Sequence, residues 1–455
     1  MSAPLHGPDA LPDGFGSTVS AHIAARVASA PLGTSSAPPD LVTTVSRSIT
    51  SAGIGVDAAW RTYLEHVEPN CLGLDSERFL AFIPVSPAAA GVWMDAMVGA
   101  ATFSAESWLE AAGAVAAEQA TMRWLADLIG MPPTAGGCFM TGGSISNLSA
   151  LAVAREAAGD RRAVAVGDTA HASIDVALRI LDRRDVVVVE TDASGRLTAA
   201  GLRAAIGSRR DVGIVVAAAG STNAGAVDDL DGVADVAAEV GAWLHVDGAY
   251  GLAAMAVPEM RPLFAGIERA DSIIVDPHKW LFAPEGSGAV LYRRPELAAA
   301  VHTQHGPYID VLHGDGGGWN PSDYGYQLTR RATGLPLWFM LAVHGTDALA
   351  AAVRVGIDLA ALAADRLAAT PGVQLVMRPS LGVVLFERDG WGAAEWRSWA
   401  AELLAAGVAF VAPTTWRGRP VGRLVFMHPR TPPSIIDEIA ASLCRDPSIG
   451  KTVQP

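Results

Sequence analysis

Between residues 137 and 292, short and almost wholly apolar runs alternate with stretches of helical patterning. The runs cover 137–140, 163–166, 186–190, 214–218, 243–246, 272–275 and 289–292, and the helical stretches include 145–157, 173–181, 199–206 and 230–240. A strand with one face in water alternates apolar with polar residues. Near-continuous apolar strands therefore indicate a sheet covered on both faces. Strands joined by helices run mostly parallel, so the expected fold class is α/β, with a mostly parallel sheet in a large domain. In such sheets ligands bind at the carboxyl ends of the strands, which is where chemistry is to be sought.

The flanks are built differently. Residues 1–40 are rich in Pro and Gly and read as a loosely ordered arm with a short helix near 19–28. Helical patterning covers 41–51 and 56–65, and 91–100 leads into a long helix at 105–129. Residues 305–322 contain GDGGG and read as a mobile loop, followed by a long helical stretch at 335–369. From about residue 372, strands (373–377, 383–386, 424–427) mix with helices (394–404, 433–443) in a separate small α+β unit.

Composition narrows the class of function. Half of the 455 residues are hydrophobic and 18% are charged, which excludes a largely disordered chain. The net charge of −14 would be repelled by a phosphodiester backbone, so no nucleic-acid partner is expected. Cys71, Cys138 and Cys444 are too widely spaced for a disulfide framework or a paired metal site; no metal is expected, and a reducing cytoplasm is the simplest setting. No leader-like segment opens the chain and no run of about 20 uncharged apolar residues occurs, so no membrane association is expected.

Five segments at strand ends carry candidate chemistry. Lys279 follows the run SIIVDP in the triplet HKW. An ordinary lysine, with a pKa of about 10.4, is almost wholly protonated at neutral pH, whereas a desolvated or imine-linked lysine is a competent nucleophile. Alone, it reads more simply as a lysine snorkelling at a strand end. Asp247 ends the strand in WLHVDGAYG. A buried carboxylate there needs a cation. A pyridinium nitrogen is one, and Asp with a Schiff-base Lys is the recurring pyridoxal-phosphate pairing; a helix cap is the plainer alternative. In MTGGSISNL a strand meets two glycines before a helix opens. Its backbone N–H groups, with the Ser144 and Ser146 hydroxyls, would form a cup for a phosphate monoester, though for this stretch alone simple capping by Ser144 is the favoured reading. His171 in GDTAHAS could stack on a ring or be structural, and Thr222 in GSTNAGAVDDL could belong to a site or to a turn.

In this order and spacing the five segments resemble the group II pyridoxal-phosphate-dependent amino-acid decarboxylases, the family of the aromatic-amino-acid, histidine and glutamate decarboxylases. VDPHKWL is similar to that family's lysine motif, HVDGAYG to its aspartate motif and TAHAS to its histidine motif. GSTNAGAVD resembles its Gly-Thr-Thr turn, with Ser221 in place of the first Thr. DYGYQLTRRATGLPLW and HPRTPPSIIDEI are similar to further blocks, so the resemblance spans residues 75–445.

The resemblance implies a type I aminotransferase-like fold in three parts: an arm and dimer-wrapping segment (1–85), a large cofactor-binding domain (86–335) and a small C-terminal domain (336–455). It implies a homodimer with active sites at the interface and pyridoxal 5'-phosphate as cofactor. Lys279 would form the Schiff base, Asp247 would pair with the pyridine nitrogen, Ala249 would lie beneath the ring and His171 above it. Ser144, Ile145, Ser146 and His278 would attend the phosphate, with Thr222 nearby. The implied reaction is decarboxylation of an L-amino acid to its amine through a quinonoid intermediate. A loop tyrosine would return the proton; Tyr324 is the candidate, with Tyr308 and Tyr326 in the same region. Aldehyde synthesis by oxidative deamination and C–C cleavage are the competing reactions on the same scaffold, and Trp280 favours the decarboxylases over the lyases. A binding protein that merely kept the fold would not need the lysine.

For the substrate, Phe82 keeps an apolar rim, and Glu106 aligns where aromatic decarboxylases tend to carry an aromatic residue. A carboxylate there implies a polar or cationic amino acid. A surface residue near a helix N-terminus is the alternative, leaving Phe82, Ile83 and Trp108 as the pocket.

Overall fold

The computed structural model describes residues 5–34, 37–313 and 318–445. Helices α1 (Phe15–Ala28), α2 (Leu41–Ser46) and α3 (Val56–Thr62) open the chain. The arm is more ordered than its composition implies. Arg26 bonds Glu68 and Asp75 at 2.8 Å each, and His22 meets Trp60 edge-on at 5.3 Å between centroids. Next come α4 (Ala89–Ala101) and α5 (Trp108–Ile129). Helix α5 starts later than its apolar pattern suggests, because Ser107 is extended and its hydroxyl caps the Glu110 N–H at 3.2 Å.

The large sheet follows: β1 (Gly136–Met140), α6 (Gly143–Ala158), β2 (Ala163–Gly167), α7 (Ala172–Ile180), β3 (Val186–Val189), α8 (Ala199–Ile206), β4 (Val212–Ala218), α9 (Leu230–Val240), β5 (Trp243–Asp247), β6 (Ser272–Val275), β7 (Gly288–Tyr292) and α10 (Pro295–His302). Its order is β1-β7-β6-β5-β4-β2-β3. Strands β2 to β6 pair in parallel, and β7 runs antiparallel to both β6 and β1. The reversal has a local cause: no α-helix lies between β6 and β7 to carry the chain back, so it turns and returns beside itself. Both faces are covered. Val215 and Ala217 face the layer of α5, α8 and α9, while Ile214 and Val216 face α6 and α7.

Helix α11 (Leu335–Ala368) crosses to the C-terminal unit and is kinked at Gly345, whose φ is 77°. That unit holds β8 (Val373–Leu375), β9 (Val383–Arg388), α12 (Ala393–Ala405), β10 (Thr414–Trp416), β11 (Arg419–Val425) and α13 (Ser434–Leu443), with antiparallel strand order β10-β11-β9-β8. The strand expected at 424–427 lies mostly earlier, and β10 was not expected. The two form a hairpin about Arg417 and Gly418, both with positive φ (48° and 79°), as a type I′ turn requires. Leu80 joins this unit through bonds to Phe410 and Val425.

In the loop after α10, short 3-10 turns occur at Asp310–His313 and Pro321–Asp323, while the glycines at 314–317 lie outside the described residues. Among the described residues no helix is long and apolar enough to cross a membrane, and the three cysteines are unpaired.

Candidate active site

The carboxyl ends of β4, β5 and β6 and the start of α6 surround a cavity of about 370 Å³. Lys279 lies on the turn after β6. Its Nζ is 3.0 Å from Asp276 Oδ2, and both side chains are mostly shielded. The Asp276 N–H donates to the Ala249 carbonyl at 3.1 Å, which ties this turn to the end of β5. Asp276 Oδ1 is buried without a partner.

Asp247 ends β5. Its Oδ2 accepts from Asn147 Nδ2 at 3.0 Å and its Oδ1 from the Ala249 N–H at 3.1 Å. His171 caps α7, its Nδ1 accepting the Ser173 N–H at 3.2 Å. Thr222 sits on a tight turn after β4, where Ser221 and Ala226 bond at 2.7 Å. Asp247, His171, Thr222, Ala249, His278 and Lys279 all line the cavity.

The start of α6, expected to form the cup, is built differently from the expectation. Helix α6 is capped by Gly142, at φ 148° and ψ 173°, not by Ser144. That conformation is open to glycine alone. Space is equally restrictive: a Cβ on Gly143 would stand 2.6 Å from Asp276 Oδ2. Ser144 and Ile145 line the cavity; Ser146 does not. Ser146 is fully buried and its hydroxyl turns back to the Gly142 carbonyl at 3.0 Å. His278 supplies a further polar atom, since its buried Nδ1 has no partner, and burial holds the ring below the usual histidine pKa.

A second cavity of about 520 Å³ adjoins the first and shares His171, Thr222 and Lys279 with it. Phe82 lines it, held at φ 51°. Arg423, from β11, donates to the carbonyls of Phe82 (2.8 Å), Thr222 (2.6 Å) and Asn223 (3.2 Å). Burial pulls its pKa down to about 10, still a cation at pH 7.

Glu106 and the candidate tyrosines Tyr308, Tyr324 and Tyr326 lie outside both cavities of their own chain. Glu106 is buried, its Oε2 accepts from Ser104 Oγ at 3.0 Å, and among the described residues no basic side chain pairs with it. Its carbonyl accepts the Ser322 N–H, and Asn320 Oδ1 accepts the Trp108 N–H, so Glu106 and the foot of the loop form one unit. Tyr324 stacks on Trp319 at 3.8 Å in that unit, and burial pushes its pKa up to about 12. Tyr308 and Tyr326 are exposed.

Sequence reasoning missed Asn147, Asp276 and Arg423. The first two stand inside motifs already singled out, next to Ser146 and three residues before Lys279. Arg423 lies far along the chain, with no local signal.

Chemically, the site offers an anion cup at a helix start, a carboxylate that only accepts, a histidine at its wall and an amine held by a second carboxylate. That set fits a planar ring carrying a phosphate, a basic nitrogen and a carbonyl.

Comparison with known proteins agrees. Residues 57–388 match the family described as the pyridoxal-dependent decarboxylase conserved domain. An aromatic-L-amino-acid decarboxylase from Bacillus atrophaeus is 33% identical over 376 residues, covering 79% of this chain and 78% of the relative. An L-2,4-diaminobutyrate decarboxylase from Rhizobium meliloti (strain 1021) is 32% identical over 364 residues, covering 76% and 72%. Among solved structures, Oryza sativa TDC with PLP and tryptamine aligns with a TM-score of 0.84 and 25% identity, over 95% of this chain and 97% of that one.

Proposed function

The chain belongs to the pyridoxal-dependent decarboxylases and is a pyridoxal-phosphate-dependent carboxy-lyase, and from that premise we propose that it converts a polar or cationic L-amino acid to its amine in the cleft around Lys279. The convergence of Lys279, Asp247 and His171 on one cavity that ends at the start of α6 carries this reading.

The N–H groups of Gly143 to Ile145, with Ser144 and His278, would hold the phosphate. Asp247 would face the ring nitrogen as an acceptor, Ala249 and His171 would bracket the ring, and Thr222 would stand beside it. Bound pyridoxal phosphate supplies an electron sink for the pair left when CO₂ departs. Lys279 would be the residue that holds the cofactor covalently, and Asp276, 3.0 Å from its Nζ, would keep the lysine ammonium in the cleft whenever it is free.

Tyr324 and Glu106 act from the same unit, and we place them in the cleft of a partner subunit. Around that unit Trp93, Met97, Phe103, Trp108, Leu109 and Val343 expose apolar surface, which supports a homodimer. In this arrangement Tyr324 returns the proton to Cα and Glu106 meets the substrate side chain. The parts implied by the family resemblance, 1–85, 86–335 and 336–455, are retained as the proposed division of the chain.

The test is mass spectrometry of products from the holoenzyme with the twenty amino acids, ornithine and diaminobutyrate. An amine from a polar or cationic substrate is expected. An aldehyde product contradicts the reaction, and best turnover of phenylalanine or tryptophan contradicts the role of Glu106. Lys279→Ala should abolish turnover, and borohydride treatment of the native protein should fix the cofactor on Lys279; a label on another lysine removes the assignment.

A further inference from the structure

Behind Asp247 the buried polar groups form a chain whose proton positions follow from its ends. The indole N–H of Trp243 only donates, and it donates to Ser272 Oγ at 2.8 Å. At the other end a carboxylate only accepts, so Asn147 turns its Nδ2 to Asp247 Oδ2, and the same nitrogen reaches Ser173 Oγ, both at 3.0 Å. Asn147 Oδ1 is thereby left facing His245 Nε2 at 3.0 Å. That oxygen accepts, so Nε2 carries the proton. His245 is completely buried, and burial lowers its pKa to about 4, so the ring is neutral and Nδ1 is bare. Ser272 Oγ, 2.9 Å away, donates to it.

The same logic reaches His171. Its Nδ1 accepts the Ser173 backbone N–H, so that nitrogen is bare. The Ser173 hydroxyl, at 2.8 Å and already accepting from Asn147, donates to it as well. The ring proton therefore sits on Nε2.

We propose that Asn147, His245 and Ser272 are positioning residues that fix the acceptor role of Asp247 through one buried chain of hydrogen bonds, in which His245 is held as its Nε2–H tautomer. The proposal rests on the reading of Asp247 given above. Asn147 is its branch point, since a single amide nitrogen serves both sides.

The test uses histidine-selective ¹⁵N labelling, cofactor binding and the absorption spectrum of the bound cofactor. In Asn147→Ala the nitrogen signals of His245 should move from a single tautomer toward a mixture. Affinity for pyridoxal phosphate should fall about tenfold, as for a lost hydrogen bond to a charged group. The absorption of the bound cofactor should shift as well. Ser272→Ala should move these readouts in the same direction and Ser272→Thr, which keeps the hydroxyl, should not. A folded Asn147→Ala protein with native tautomer, affinity and spectrum overturns the proposal. Where that variant does not fold, identical behaviour of Ser272→Ala and Ser272→Thr overturns it. Asp247→Asn isolates the premise. If it leaves affinity and spectrum unchanged, the reading of Asp247 fails and the proposal with it. If it changes both while Asn147→Ala changes neither, the relay alone fails.

Discussion

Two buried histidines, His245 and His428, make the fold sensitive to acid. Burial brings each down to about 4 from an ordinary value of about 6.5. Nδ1 of His428 accepts the Arg430 N–H at 3.0 Å, a bond that needs the neutral ring. A folded-state pKa below the unfolded one means that the unfolded chain takes up protons first. The stabilisation is complete above pH 6.5 and is lost as pH falls towards 4. For His428 the contribution is on the order of 3 kcal/mol, and His245 acts in the same direction. Urea unfolding at pH 7 and pH 4.5 should show the loss, and His428→Asn should flatten the slope between them. A slope unchanged in that variant would place the acid sensitivity elsewhere.

Segments differ in how far they announce themselves. Six of the seven strands of the large sheet were legible because burial on both faces leaves little but apolar residues in them, and the edge strand β3 is four valines although Val188 is exposed. The β10–β11 hairpin was not, since Thr414, Thr415, Arg417 and Arg419 give no apolar run and its turn depends on backbone geometry. Asp247, Lys279 and His171 were readable because strand ends in such a sheet are where ligands sit. Ser146 was misread as a cavity residue because one turn of helix decides which hydroxyl faces out, and Gly142, not a serine, starts that turn. A different buried pair fixes the segment after the loop. Glu118, on α5, accepts from Arg330 and from the Gly334 N–H at 2.9 Å. Glu118→Gln leaves Arg330 buried without its anion and should cost about 3–5 kcal/mol in chemical unfolding. Replacing both residues by Met should recover much of that loss. If the double variant is no better than the single one, the pair is not the cause.

For the whole molecule, the placement of Glu106 outside its own cleft makes a prediction that only two subunits can test. A Lys279→Ala subunit lacks the lysine but keeps Glu106; a Glu106→Phe subunit has the reverse defect. If Glu106 serves the partner subunit's cleft, co-refolding the two inactive or impaired variants yields a mixed dimer with one intact site, and turnover of the native substrate returns. No recovery on mixing would confine Glu106 to its own chain. The reach of Arg423 bears on the order in which the molecule is finished. Every residue lining the cofactor cavity is made by Lys279, whereas the guanidinium that grips the carbonyls of Phe82 and Thr222 comes from residue 423. At typical synthesis rates that interval lasts roughly ten seconds. A chain on the ribosome thus has every side chain that lines the cavity around Lys279 before it has the clasp on Phe82 and Thr222, and Phe82 waits for a residue made 341 positions later to be secured.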